Sequence, residues 1–246
     1  MKEILETMDV FGDYAMVTSP SFKVERFSYP ILTPSATRAI FEAVFFKRTK
    51  FAWRPTKVEI LEHPEYPGLP YPSYMAMRSN EVTQKVSNLK VKQAMKAGKA
   101  PPMIVPDNCR TQRMSMLLKA PRFRIHALLR PWPEYAGEIK VLHEQFQRRL
   151  SRGQCFHQPF FGCRECVAFF EKPTGDRPLP VSLDIGLMLY DVFDLSTIGR
   201  IGGGEVRVSM FEAKVQDGVM DIPPFESDEV RKGIKFTRWG NKEGAK

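Results

Sequence analysis

Prolines at positions 64, 67, 70, 72, 101, 102 and 106 interrupt the middle of the chain. Proline fixes φ and removes a backbone donor, so neither a long helix nor a central strand runs through such a stretch. Residues 62–108 therefore read as an excursion, a hairpin or short helix projecting from a core built by the segments on either side. Before it, residues 4–19 alternate in polarity and end in Ser19-Pro20, which predicts a strand bent near Gly12. Thr33-Pro34-Ser35 is a helix start, with a capping hydroxyl and proline in the first turn. The helix is expected over Pro34–Phe46, with Ile40, Phe41, Val44 and Phe45 on its apolar face. Phe51–Leu61 predicts a second strand, Val58 and Ile60 alternating with Lys57 and Glu59.

After the excursion, Arg113–Leu118 and Phe123–Leu129 read as strands. Glu134–Arg152 reads as a helix with Val141, Leu142, Phe146 and Leu150 on one side. Val167–Glu171, Leu187–Val192, Val206–Val215 and Val219–Ile222 are strand-like, the last two joined by a hairpin. The order over residues 4–152 is β-α-β, excursion, β-β-α, β. It predicts an α+β fold with a ferredoxin-like core, the layout of RNA-recognition domains. The expected division is a ferredoxin-like domain over 1–152 with the inserted basic excursion 62–108, a small antiparallel β domain over 153–225, and a polar tail over 226–246. No apolar run approaches the length of a membrane span, and the N-terminus lacks the apolar segment of a secretory signal. A cytoplasmic protein without a membrane partner is expected.

Charge points to the partner. The net charge is +9, and between Lys85 and Arg130 stand six lysines and five arginines against the single acid Asp107. One-signed charge at that density repels itself unless a polyanion neutralises it, and phosphate backbones do so with release of counterions. Of the four cysteines, Cys163-x-x-Cys166 has the spacing of half a zinc site. Cys109, Cys155 and His157 do not supply the other half, so reduced thiols, no metal and no cofactor are expected. The Gly202–Gly204 run lacks the following Lys-Ser/Thr of a phosphate loop and reads as a turn.

Three blocks carry a resemblance. They are Gly12–Met16 followed by KVERFSYPILTPSATRAIFEAVF (Lys23–Phe45), then RGQCFHQPFFGCRECVAFFE (Arg152–Glu171) after Arg148 and Arg149, then Met188–Asp191 with Phe211–Val219. In this order they resemble the type I-C (Dvulg subtype) CRISPR-associated RAMP subunit of Cascade. The resemblance implies binding to the 5′ handle of CRISPR RNA (crRNA), a seat beside the Cascade large subunit and backbone subunit, and only indirect contact with target DNA. It also implies metal-independent cleavage of precursor RNA by the 2′-OH. In that family the chemistry uses a tyrosine ending the first helix and a Lys-His pair opening the second.

Here the tyrosine position is Phe45, and the pair falls in register near Val141-Leu142. Lys140 and His143 flank that pair and are three apart on the expected helix, so they can share a face. They are the expected catalytic residues. Two alternatives stand beside this: a subunit that binds the handle without cutting, and chemistry at His126 or His157. A generic basic RNA-binding protein is the reading outside the family. For RNA contact the matched blocks nominate Lys23, Arg26, Tyr29, Arg148, Arg149, Gln158 and Arg164. Arg38 joins them near the first helix's N-terminal end, where phosphate is favoured, and Arg110, Arg113 and Lys119 flank the excursion. A core role for Tyr29, a solvated Arg38 and a buried Arg164–Glu165 pair are the structural alternatives.

Overall fold

The computed structural model describes residues 3–20, 22, 25–82, 86–104, 110–195 and 206–233. The main sheet begins with β1 (Ile4–Phe11), whose even-numbered residues point to one side. Met8 and Val10 are fully buried there, and Glu6 shares their face. Helix α1 (Pro34–Val44) follows, started by Thr33 Oγ1, which accepts the Ala36 N–H at 3.2 Å. It ends at Phe45, where the backbone turns extended. Strand β4 (Phe51–Ile60), β7 (Arg122–Pro131), helix α3 (Ile139–Ser151) and β8 (Phe169–Glu171) come later in the chain. The antiparallel strand order is β11-β4-β7-β1-β8, with β11 (Val219–Asp221) at one edge.

The two helices cover one face of this sheet. Phe41 of α1 lies 4.8 Å from Trp53 and 5.8 Å from Phe146 of α3, ring centroid to centroid. Phe51 and Phe123 are also fully buried in this core, and burying each such side chain stabilises by roughly 1.5–3 kcal/mol. Trp53 satisfies its indole by donating to the Phe45 carbonyl at 2.7 Å. On α3 the buried positions are Ile139, Leu142, Phe146 and Leu150, while Val141 is 50% exposed. The expected apolar stripe thus includes one residue that faces solvent, because 141 lies a full 100° round the helix from 142.

The excursion is a long hairpin with a helix at its tip. Strand β5 (Tyr74–Val82) pairs antiparallel with β6 (Arg110–Lys119) in one register from Tyr74↔Leu118 to Val82↔Arg110. Between them stands α2 (Asn88–Lys96), which buries no residue. The strand expected at Arg113–Leu118 therefore belongs to the projection. It pairs also with β2 (Tyr14–Ala15) and β3 (Arg26–Phe27) in a second sheet. The single bent strand expected over 4–19 is two strands in two sheets. The switch is at Gly12, where a Cβ would come within 2.5 Å of the Val167 carbonyl oxygen.

β9 (Leu183–Phe193) and β10 (Val206–Val215) form a two-stranded ribbon against α1. Since β8 and β11 are the two edges of the main sheet, the boundary expected at residue 152 cuts through one sheet. Of the expected tail, Val230 is buried and Arg231 exchanges backbone hydrogen bonds with Met210 at 2.8 and 2.9 Å. No described helix is long and apolar enough to cross a membrane.

Candidate nucleic-acid interface and acid–base site

Helix α3 presents two flanks, because residues two apart differ by 200° around an α-helix. His143 and Gln147 lie on one flank and both reach Glu6. His143 Nδ1 is hydrogen-bonded to Glu6 Oε1, and Gln147 Nε2 donates to Oε2 at 2.6 Å. The Glu6 side chain is 1% exposed and that of His143 is 37% exposed. Burial raises the Glu6 pKa, opposed by the hydrogen bonds from His143 and Gln147. The carboxylate thus holds the imidazole by one nitrogen and leaves Nε2 as its second hydrogen-bonding atom. Lys140 is exposed one turn earlier on the same helix.

Gln145 and Arg149 lie on the other flank, beside the end of α1. Lys47 Nζ donates to Gln145 Oε1 at 2.8 Å, and Arg149 Nη1 donates to the Val44 carbonyl at 3.2 Å. Both cations lie over the Phe45 ring, Lys47 Nζ at 5.7 Å and the Arg149 guanidinium carbon at 5.6 Å from its centroid. Phe45 itself is buried and stacks on Phe51 at 5.3 Å. The structure brings Lys140 and His143 onto one helix, as expected, but sets them on the flank away from Phe45. Two sets of residues therefore exist: an imidazole–carboxylate pair with a nearby lysine, and a pair of cations over a ring that has no hydroxyl.

Beyond the α1 end opens a cleft of about 730 Å³, lined by Glu42, Phe46, Phe156, His157, Gln158 and Arg164. The Phe156 and His157 N–H groups both donate to the Ala43 carbonyl, at 2.7 and 3.1 Å, and so tie the lining loop to α1. Gln158 Nε2 donates to the Ala168 carbonyl at 2.9 Å, bracing the same loop. Arg164 is exposed, so the expected buried alternative for the Arg164–Glu165 pair does not hold. Arg26 and Arg164 help to hold the exposed Glu165 carboxyl below its ordinary pKa, behind hydrogen bonds from its own backbone and Cys163.

Two nominated RNA contacts are structural. Arg38 is buried and bidentate on Asp191 at 2.9 and 3.2 Å, with a third bond to Glu42 at 2.7 Å. Three of its five N–H donors are bonded within the fold and the side chain is buried, so it is not a solvated surface charge. Tyr29 is 9% exposed, its hydroxyl donating to Ser19 Oγ at 3.1 Å and its N–H to the Val17 carbonyl at 2.8 Å. His126, an alternative catalyst, is buried between Thr7 and Glu59, 3.0 Å from each, and burial lowers its pKa. Of the remaining nominations, Arg110 and Arg148 are exposed, while Arg113, Arg149 and Lys119 are half-buried. Lys119 Nζ lies 5.3 Å from the Tyr66 ring centroid. Lys23, Cys109 and the Gly202–Gly204 run lie outside the described residues.

The helix-free face of the sheet is mostly ionic, with the Phe11–Phe169 pair at one end, ring centroids 5.8 Å apart. Asp9, fully buried, receives Arg124 at 2.7 and 3.0 Å and the Thr174 N–H at 2.9 Å. Arg122 meets Asp176 at 2.8 Å, and Glu59 meets Lys57 at 2.7 Å as well as His126. Ion pairs and the loop through Thr174 occupy the surface on which an RNA-recognition domain stacks bases. Sequence reasoning missed Glu6, Lys47 and Gln145. For Glu6 a signal existed: it alternates in phase with Ile4, Met8 and Val10, and a carboxylate at a core position needs a partner. Among the described residues, no group of three or more His, Cys, Asp or Glu is arranged to hold a metal ion.

These features define the class: a basic α+β protein with a main antiparallel sheet, a cationic projection and an imidazole–carboxylate pair at the edge of its helical layer. The family model of CRISPR-associated protein (Cas_Cas5) matches residues 7–237. Similar curated proteins include the CRISPR pre-crRNA endoribonuclease Cas5d of Thermus thermophilus, 33% identical over 90% of this chain and 92% of that one. The protein of the same name from Mannheimia succiniciproducens is 32% identical over 92% and 97%. A crystal structure of a CRISPR-associated protein superposes with a TM-score of 0.60 at 17% identity, covering 94% of this chain and 98% of that chain. The chain belongs to the Cas5 family of CRISPR-associated proteins.

Proposed function

We propose that this chain is the subunit of a type I-C Cascade complex that binds the repeat-derived 5′ handle of crRNA and cuts precursor crRNA without a metal. One observation carries the reading: two curated relatives named pre-crRNA endoribonuclease are 33% and 32% identical across at least 90% of the chain. The fold assignment that goes with it is ferredoxin-like. With the projection and β11 set aside, β1-α1-β4-β7-α3-β8 in the spatial order β4-β7-β1-β8 supports it.

In the proposed reaction His143 Nε2 takes the proton of the ribose 2′-OH, and the freed oxygen attacks the adjacent phosphorus. Glu6 holds the opposite ring nitrogen and stabilises the imidazolium that forms, the part a buried carboxylate plays behind a histidine base. Lys140 meets the charge that builds on the phosphorane. The bond to the 5′-oxygen breaks, that oxygen takes up a proton, and a 2′,3′-cyclic phosphate remains. Arg110, Arg113, Lys119, Arg148, Arg149, Gln158 and Arg164 contact RNA, with Arg26, and Lys23 from outside the described residues. The Cascade large and backbone subunits are its protein partners, and target DNA is met only through the complex.

Phe45 favours a second reading, in which the chain binds the handle and leaves cleavage to another nuclease, since a phenyl ring has no proton to move. Incubating the purified protein with its cognate repeat RNA in EDTA separates the two. A product ending in a 2′,3′-cyclic phosphate, reduced on the order of 10²–10⁴-fold in His143→Ala, is expected. Shifted but intact RNA would establish the binder, and undiminished cutting by His143→Ala would remove His143 from the mechanism.

A further inference from the structure

Cys163 and Cys166 belong to the second sequence block, yet the proposed RNA contacts include neither. The turn from Gly162 closes through the Cys166 N–H, which donates to the Cys163 carbonyl at 3.0 Å, and the two sulfurs stand 3.4 Å apart. The turn is fixed on both sides. The Phe161 N–H donates to the Cys166 carbonyl at 2.8 Å. Gly162 has φ +83° and lies so close to β2's continuation that a Cβ would come within 1.9 Å of the Met16 oxygen.

The two thiols are not equivalent. Cys163 is partly exposed, whereas Cys166 is 4% exposed. The hydrogen bond between the two sulfurs brings the Cys163 pKa down to about 7, against burial and the neighbouring Glu165, and pushes that of Cys166 up. A partly exposed sulfur 3.4 Å from a buried one is the arrangement of an attacking and a resolving cysteine.

We propose that Cys163 and Cys166 form a covalent modification site for low-molecular-weight disulfides of the oxidised-glutathione class. The Cys163 thiolate attacks one sulfur of the small disulfide, forming a mixed disulfide and expelling one thiolate. Cys166 then gives its proton to solvent and attacks Cys163 Sγ, which breaks the mixed disulfide and expels the second thiolate. The protein loses two electrons and two protons, and the small disulfide is reduced to two thiols. Closing the sulfurs from 3.4 Å to a covalent bond of about 2.05 Å stays within one turn. Arg164, which faces the cleft, sits between the two cysteines, so the redox state of the pair sets the conformation of the turn that carries it.

The test equilibrates the full-length protein in mixtures of oxidised and reduced glutathione, followed by acid quench, alkylation and intact-mass and peptide analysis. The wild type is expected to lose two hydrogens at Cys163 and Cys166 while Cys155 stays alkylated. Cys166→Ser is expected to stop at a glutathione adduct on Cys163, and Cys163→Ser to form neither product at Cys166. Circular dichroism shows whether the variants fold, and the competition between Cys163 and Cys155 within the wild type needs no variant. Full alkylation of both thiols in the most oxidising mixture would overturn the proposal. So would adducts on Cys155 as readily as on Cys163.

Discussion

Asp191→Asn isolates the charge of the lock between α1 and β9. The side chain of Asp191 is 1% exposed and that of Arg38 is 9% exposed, so both partners lie beyond solvent screening. Asn keeps an oxygen for the Val192 and Phe193 N–H groups, which Asp191 Oδ1 now accepts at 2.8 and 3.0 Å. What it removes is the anion under the Arg38 guanidinium. Breaking a buried pair from one side costs about 3–5 kcal/mol, because the remaining charge is left uncompensated. Glu42 still meets Arg38 Nη1 at 2.7 Å, which places the expected loss at the low end, about 3 kcal/mol. For a chain of this size that is a melting temperature lower by about 6–12 °C. Scanning calorimetry at neutral pH measures it. The double variant Arg38→Met with Asp191→Asn is expected to recover part of the loss, since it removes the stranded guanidinium and keeps the acceptor for the Val192 and Phe193 N–H groups, while Glu42 loses its partner. A shift below about 2 °C for Asp191→Asn, or no recovery in the double variant, would refute the lock. RNA affinity per folded molecule is expected to be unchanged in that double variant.

Stability is expected to fall as pH drops through the range below 6.5. Burial lowers the pKa of both His126 and His63, so the unfolded chain binds protons that the folded chain refuses. Thermal melts of His126→Gln are expected to show a shallower acid slope than wild type, and an identical slope would remove His126 as a source. Glu6 and Glu42 act oppositely: burial raises their pKa, so just above 4.5 the folded chain keeps protons that the unfolded chain has lost. Gly162→Ala is expected to destabilise by more than the 1 kcal/mol or so of a left-handed residue, because its Cβ would overlap the Met16 carbonyl; urea midpoints measure this. If Arg110, Arg113, Lys119, Arg148 and Arg164 each meet one phosphate, log affinity for repeat RNA should fall against log salt with a slope of about −3.5, five contacts at about 0.7 each. A slope shallower than about −1 would remove that surface from RNA binding.

The elements with a strong period were legible, and the partners across the chain were not. Thr33-Pro34 announced α1 to the residue, because capping chemistry is local: Thr33 Oγ1 bonds the N–H three positions on. The projection was legible from its prolines, but the sheet to which Arg113–Leu118 belongs was not. That depends on whether β6 meets β5 or β1, a choice that alternation leaves open. The charged residues divide the same way. Arg38, Arg164 and Arg110 look alike in sequence, yet Arg38 is consumed by Asp191, 153 residues further on, while Arg110 and Arg164 are exposed. Only the fold decides which guanidinium is buried against an acid. His143 shows the reverse. The family register points to it, and its hydrogen-bond partner Glu6 lies 137 positions earlier on the buried face of β1. A carboxylate in phase with Met8 and Val10 has no reason to stay in the core unless something polar meets it there, and the imidazole of His143 and the amide of Gln147 do so. The core-facing acid is therefore the sequence signal that marks the site, and it is readable before any partner is known.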